Sequence, residues 1–200
     1  MARLEFWFEY ASSYSYPATF AVGEACRAAG VELVWKPFIL GPIFAAQGWN
    51  TSPFNLYPAK GKYMVRDLER ICEKAGLPFR LDPDMNWPQF SIAAARIGLI
   101  GAREGWVEDF SKRLYALEFG DNLDISKEET LRQALDGVAD ADRVLAESRK
   151  RETKDALRAQ VGDAVAAGIF GAPTYRVGDE IFWGGDRLDD ALAWAITNTL

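Results

Sequence analysis

Three short segments of this chain carry residues whose types and spacing suit chemistry. The first is Ser12-Ser13-Tyr14-Ser15-Tyr16, which follows the apolar run Leu4-Glu5-Phe6-Trp7-Phe8-Glu9. Hydroxyl residues at a helix start lie beside unpaired backbone N–H groups and the positive end of the helix dipole. An anion such as a thiolate is stabilised there, and a serine hydroxyl can donate a hydrogen bond to the same sulfur. The plain alternative is that Ser12 or Ser13 only caps the helix. The second segment is Phe170-Gly171-Ala172-Pro173-Thr174. A proline just before a strand, after small residues, suits a cis peptide that leaves the Ala172 backbone free to pair with an extended peptide, against an ordinary trans proline at a strand start. The third is Phe182-Trp183-Gly184-Gly185-Asp186-Arg187. Its glycines allow close backbone approach, and Asp186 suits either an ammonium group or a helix N-cap.

The chain has no histidine. That removes Ser-His-Asp and Cys-His nucleophiles, imidazole proton transfer and the commonest zinc ligand. Chemistry here falls to hydroxyls, carboxylates, lysine, backbone amides or a bound cofactor. The two cysteines, Cys26 and Cys72, lie far apart without a C-x-x-C and read as buried core residues, so no metal is expected. A net charge of −6 argues against a nucleic-acid partner. No stretch reaches the length of a membrane span, and the start offers no apolar signal region, so a cytoplasmic protein is expected.

The elements that must position these segments follow from pattern. Residues 4–9 read as a buried strand, 16–29 as a helix ending at Gly30, and Val31-Glu32-Leu33-Val34-Trp35-Lys36-Pro37 as a second strand. This βαβ unit implies a parallel pair with a right-handed crossover. Residues 40–57 are rich in Gly, Pro, Asn and Ser and read as an irregular binding loop. Helical patterns run from 58 to 168, with one helix around Tyr63–Cys72, another around Ile92–Ala102 and a third around Phe110–Leu117. Two charged amphipathic helices are expected over 126–167, and Gly101, Gly120 and Gly137 are expected as helix stops. Residues 174–177 and 180–183 flank Gly178-Asp179 as a two-residue hairpin, and a last helix begins at Leu188. The order βαβ, helical block, ββα predicts an α/β thioredoxin-like fold from residues 1–57 and 169–200, carrying an all-helical insertion over 58–168. A chain of 200 residues can bury roughly 70% of its unfolded surface and needs no covalent staple.

The chain resembles the 2-hydroxychromene-2-carboxylate isomerases and the kappa-class glutathione transferases of the DsbA-like thioredoxin superfamily. Five pieces in register carry the resemblance: residues 8–16, Gly48-Trp49-Asn50-Thr51-Ser52-Pro53, Pro58-Ala59-Lys60-Gly61-Lys62-Tyr63-Met64 with Asp67 and Arg70 beyond it, residues 170–174, and residues 182–188. The resemblance implies glutathione as cofactor, with Ser12 facing its sulfur. It implies that Ala172 and Pro173 pair with the cysteinyl backbone and that Gly185 and Asp186 hold the γ-glutamyl end. Lys60 is implied near the glycine carboxylate, with Asn50 and Pro53 lining the adjoining loop. It also implies a homodimer and a small aromatic substrate. Two positions depart from the family pattern. Ser13 stands where proline commonly follows the serine, and Phe90 stands where asparagine is usual, which makes the acceptor pocket more apolar.

The activity this implies is cis–trans isomerisation of 2-hydroxychromene-2-carboxylate or a related electron-poor alkene through thiolate addition. Trp49, Phe54 and Phe90 are candidates to cover its ring. A kappa-type transferase or peroxidase would share the site. A non-enzymatic protein whose cleft binds extended peptides is a third reading. A dithiol oxidoreductase is disfavoured, because Ser12 and Ser15 take the C-x-x-C spacing.

Overall fold

A computed structural model describes residues 2–49, 56–81 and 87–198. Its centre is a four-stranded sheet of β1 (Arg3–Phe8), β2 (Glu32–Pro37), β3 (Thr174–Val177) and β4 (Glu180–Trp183), in the order β2-β1-β3-β4. β1 and β2 are parallel; β3 is antiparallel to both β1 and β4. The parallel pair is joined by α1 (Ser15–Ala29), which stops where Gly30 takes a left-handed φ of 65°. This is the thioredoxin-like arrangement expected from the strand–helix order.

β1 is buried on both faces, which is why its sequence is almost uninterrupted apolar. Leu4, Phe6 and Phe8 join the larger core, where Phe6 stacks on Phe8 and Tyr175 at centroid distances of 5.0 and 5.5 Å. Trp7 points to the other face and packs with Phe38, Ile43, Ala164 and Ile169. The larger core continues without a break into the helical residues, through Tyr10, Phe110, Tyr115 and Phe119.

The intervening helices are α2 (Gly41–Ala46), α3 (Pro58–Ala75), α4 (Ile92–Glu104), α5 (Val107–Tyr115), α6 (Glu128–Leu135), α7 (Ala141–Ser148) and α8 (Arg151–Ala166); α9 (Leu188–Thr197) follows β4. Three expectations need correction. The stretch from residue 40 is not irregular throughout, because Gly41-Pro42 opens the short helix α2 with proline in its first turn. The charged region holds three helices rather than two. Gly137 breaks the first with a φ of 68°, and a second break falls at Arg149-Lys150, where Thr153 Oγ1 donates to the Glu147 carbonyl at 2.9 Å. Gly101 lies inside α4, which ends at Gly105. A β-carbon at Gly101 would sit 2.7 Å from the Trp106 ring, so that glycine marks close packing rather than a stop. Residues 116–120 continue α5 as a π-helical turn. Cys26 and Cys72 are buried and unpaired, and no helix among the described residues is long and apolar enough to cross a membrane.

Candidate functional site

The chain leaves β1 at Phe8, turns through residues 9–14 and enters α1 at Ser15. The turn is closed by its own backbone. The Ser12 N–H donates to the Glu9 carbonyl at 2.9 Å, and the Ser12 carbonyl accepts from the Ser15 N–H at 2.9 Å. The residue flanking the helix is Tyr14, with no side-chain cap, so neither Ser12 nor Ser13 is an N-cap. The Ser12 hydroxyl instead crosses to the other end of the chain and donates to the Ala172 carbonyl at 3.1 Å. Ala172-Pro173 is a cis peptide.

The third segment closes on the same place. The Gly184 N–H donates to the Pro173 carbonyl at 3.0 Å, and Gly184 takes a φ of 116° that favours glycine. A β-carbon at Gly185 would lie 3.6 Å from that of Ala18 and 3.9 Å from the Tyr14 carbonyl, so this loop runs along the first turn of α1. Asp186 is exposed, does not cap α9, and accepts from Arg187 at 2.8 Å. Ser12, Ala172, Pro173, Gly185 and Asp186 therefore converge from three segments on one helix start.

Lys60 stands exposed in the first turn of α3, seven residues before Asp67, so the two share a helix face. That face is tied to the site, because the Tyr14 hydroxyl donates to Asp67 Oδ2 at 3.0 Å. Burial, and then the bond to Asp67, push the Tyr14 phenol above its usual range. Arg70 pairs with Asp67 at 3.4 Å and lies over the Tyr63 ring. Asn50 and Pro53 lie outside the described residues.

Residues behind the turn complete the site, and sequence reasoning assigned them no role. Glu9 is 5% exposed. Its carboxylate accepts from the Leu40 N–H at 2.6 Å, from the Ala11 N–H at 3.4 Å and from the Ser91 hydroxyl, while its carbonyl accepts from the Tyr115 hydroxyl at 2.7 Å. Burial raises its pKa against those hydrogen bonds. Glu118, in the π-helical turn, is fully buried with neither oxygen hydrogen-bonded among the described residues. Burial, followed by the nearby Glu9 and Asp124 charges, drives its pKa well above the usual carboxylate range. The signal available in sequence was an acid closing a buried apolar strand. Among the described residues, no group of three or more acidic or cysteine side chains is placed to hold a metal ion.

Comparison with known proteins agrees with this fold. The chain matches the DSBA-like thioredoxin domain over residues 3–194. It is 30% identical to a 2-hydroxychromene-2-carboxylate isomerase of Sphingobium xenophagum, across 93% of this chain and 94% of that one. The chain belongs to the DsbA-like family of 2-hydroxychromene-2-carboxylate isomerases and kappa-class glutathione transferases. A kappa-class glutathione transferase of Caenorhabditis elegans is 27% identical over 92% of this chain and 88% of its own length. A solved 2-hydroxychromene-2-carboxylate isomerase superposes with a TM-score of 0.84 at 21% identity, over 98% of this chain and 94% of that one. This chain has no C-x-x-C pair, and serine stands at both positions 12 and 15.

Proposed function

We propose that the protein binds glutathione with the sulfur beside Ser12 and isomerises a small electron-poor alkene of the 2-hydroxychromene-2-carboxylate type. The observation that carries this reading is the Ser12 hydroxyl poised 3.1 Å from the Ala172 carbonyl, at the start of a helix with no side-chain cap. That carbonyl is the group an extended peptide's N–H would take, and the hydroxyl, half-exposed beside it, is free to turn its proton to a sulfur.

A free cysteine thiol is about 3% ionised at pH 7, and lowering its pKa by about two units takes about 2.7 kcal/mol. A helix terminus contributes about 0.3–2 kcal/mol and one hydrogen bond to a charged group about 1.5–3 kcal/mol, so α1 and Ser12 together reach that figure without a histidine base. Ala172 offers backbone pairing for the cysteinyl unit, Asp186 a carboxylate for the γ-glutamyl ammonium, and Lys60 a cation for the glycine carboxylate. Gly185 lets the tripeptide backbone approach α1 closely. The bound thiolate would supply reversible addition to an electron-poor double bond, which permits rotation with no net electron transfer. The walls of this chain need only hold the alkene beside the sulfur and exclude water. The reading places the protein in the cytoplasm, where glutathione is kept reduced.

The kappa-class relative keeps a second reading in play, conjugation of glutathione to an electrophile or reduction of a peroxide by the same bound thiol. Incubation with a 2-hydroxybenzylidene pyruvate and sub-stoichiometric glutathione separates them. Full conversion to the isomer with glutathione recovered unchanged supports isomerisation. Turnover that stops when glutathione is consumed supports the transferase, and no turnover in either form removes both.

A further inference from the structure

We infer that Glu9 is the positioning residue of this site, a buried acceptor that locks the Ser12 turn to the starts of α2 and α4. The inference rests on the glutathione reading for its catalytic meaning, but its geometry stands alone.

Three separate stretches of chain donate to the one carboxylate. Ala11 N–H belongs to the serine turn itself, Leu40 N–H opens α2, and the Ser91 hydroxyl stands at the start of α4. α2 leads into the loop that carries Trp49, and Ser91 follows Phe90, whose side chain is 74% exposed. The Glu9 backbone adds a fourth and fifth tie, its carbonyl accepting from both Ser12 N–H and Tyr115 O–H. The Ala11 and Leu40 N–H groups can only donate, one to each carboxylate oxygen, so the position requires two oxygens that accept. An ionised carboxylate satisfies this, whereas an amide would turn an N–H₂ toward donors. A buried negative charge three residues from Ser12 is electrostatically unfavourable for a thiolate bound beside that serine. Its presence is explained by the placement it enforces and not by its charge. The ionisable groups facing it, Tyr115 and Glu118, supply no positive charge.

The two roles give opposite signs. Glu9→Gln removes the charge and disturbs the turn. Loss of the charge alone would lower the pKa of bound glutathione. Displacement of Ser12 removes its hydrogen bond to sulfur and raises that pKa by at least about one pH unit, the low end of the scale of one charge-assisted bond. Glu9→Asp keeps the charge but shortens the reach to Leu40, so positioning predicts that it behaves like Glu9→Gln.

The test is the ultraviolet thiolate titration of bound glutathione in wild type, Glu9→Gln and Glu9→Asp, with crystal structures of all three proteins free of glutathione. The expected result is a raised thiol pKa in both, kcat reduced about tenfold for that loss with a smaller change in KM for glutathione, and the Ser12–Ala172 hydrogen bond broken. A lowered or unchanged pKa in Glu9→Gln, or an intact Ser12–Ala172 bond, overturns the inference. Should Glu9→Gln fail to fold, Ser91→Ala and Tyr115→Phe each remove one tie and must shift the pKa upward by a smaller amount. If wild type binds no glutathione, the proposed function falls, and the crystal structures alone still decide whether Glu9 sets Ser12.

Discussion

Gly98→Ala sets two opposing effects against each other at the seam between the helical block and β1. Gly98 is interior to α4, where alanine is favoured over glycine by about 0.8–1.0 kcal/mol. Its new β-carbon, however, would lie 2.5 Å from Tyr10 Oη, 3.0 Å from Tyr10 Cε2 and 3.2 Å from Pro37 Cβ. Tyr10 cannot give way cheaply. It is fully buried, its hydroxyl is bonded to Ser111 Oγ at 2.8 Å, and its ring sits edge-on to Phe8 and Phe110. Overpacking of a filled core costs about 1–3 kcal/mol, and a stranded buried hydroxyl adds about 1–3 kcal/mol. The net destabilisation is about 1–5 kcal/mol, or a Tm lower by about 2–20 °C at about 2–4 °C per kcal/mol for a chain of this size. Thermal and urea unfolding of Gly98→Ala, Tyr10→Phe and the double variant provide the assay. Tyr10→Phe removes the clashing oxygen, so the double variant must be more stable than the sum of the single effects. A Gly98→Ala protein as stable as wild type, or additive effects, would show that α4 does not close on Tyr10.

Two further outcomes concern buried ionisable groups. Glu118 has a folded pKa raised above its unfolded value, so below the ordinary glutamate pKa both states hold the proton and the group costs nothing. As pH rises past that value the unfolded chain releases its proton while the native one keeps it, and stability falls by up to about 1.4 kcal/mol per pH unit. Glu118→Gln should therefore match wild type near pH 4 in urea unfolding and exceed it increasingly toward neutrality; a constant difference across pH would contradict the burial of that carboxyl. Burial pushes the Cys26 and Cys72 thiols up to about 11, which at pH 8 leaves a thiolate fraction about 200-fold below that of a free cysteine. Ellman titration should find both cysteines silent in the native protein and two thiols after denaturation, and rapid native labelling would refute their placement.

The succession of elements along the chain and the three site segments were legible because each depends on local chemistry. The hairpin follows from Gly178-Asp179 between two short strands, and the end of α1 from Gly30. Ser12 and Pro173 were also legible, but the bond between their segments spans 160 residues and no local rule predicts it. α2 was missed because Gly41-Pro42 reads as a turn until the following Ile43 and Phe44 are seen to pack on the Trp7 face. Glycine misled at Gly101, where it admits the Trp106 ring, since a glycine kept for close approach and one kept for a left-handed stop look alike in sequence. The partners of Glu9 and Glu118 were illegible for a different reason. An acid in sequence is expected in solvent, and only the tertiary fold shows that one meets three donors and the other none.

The most direct measurement of the central claim is the thiolate absorbance of glutathione bound to wild type and to Ser12→Ala, followed across pH. The account predicts a wild-type thiol pKa well below that of free glutathione, and an upward movement of about one to two pH units when the hydroxyl is removed. Identical titrations in the two proteins would contradict it.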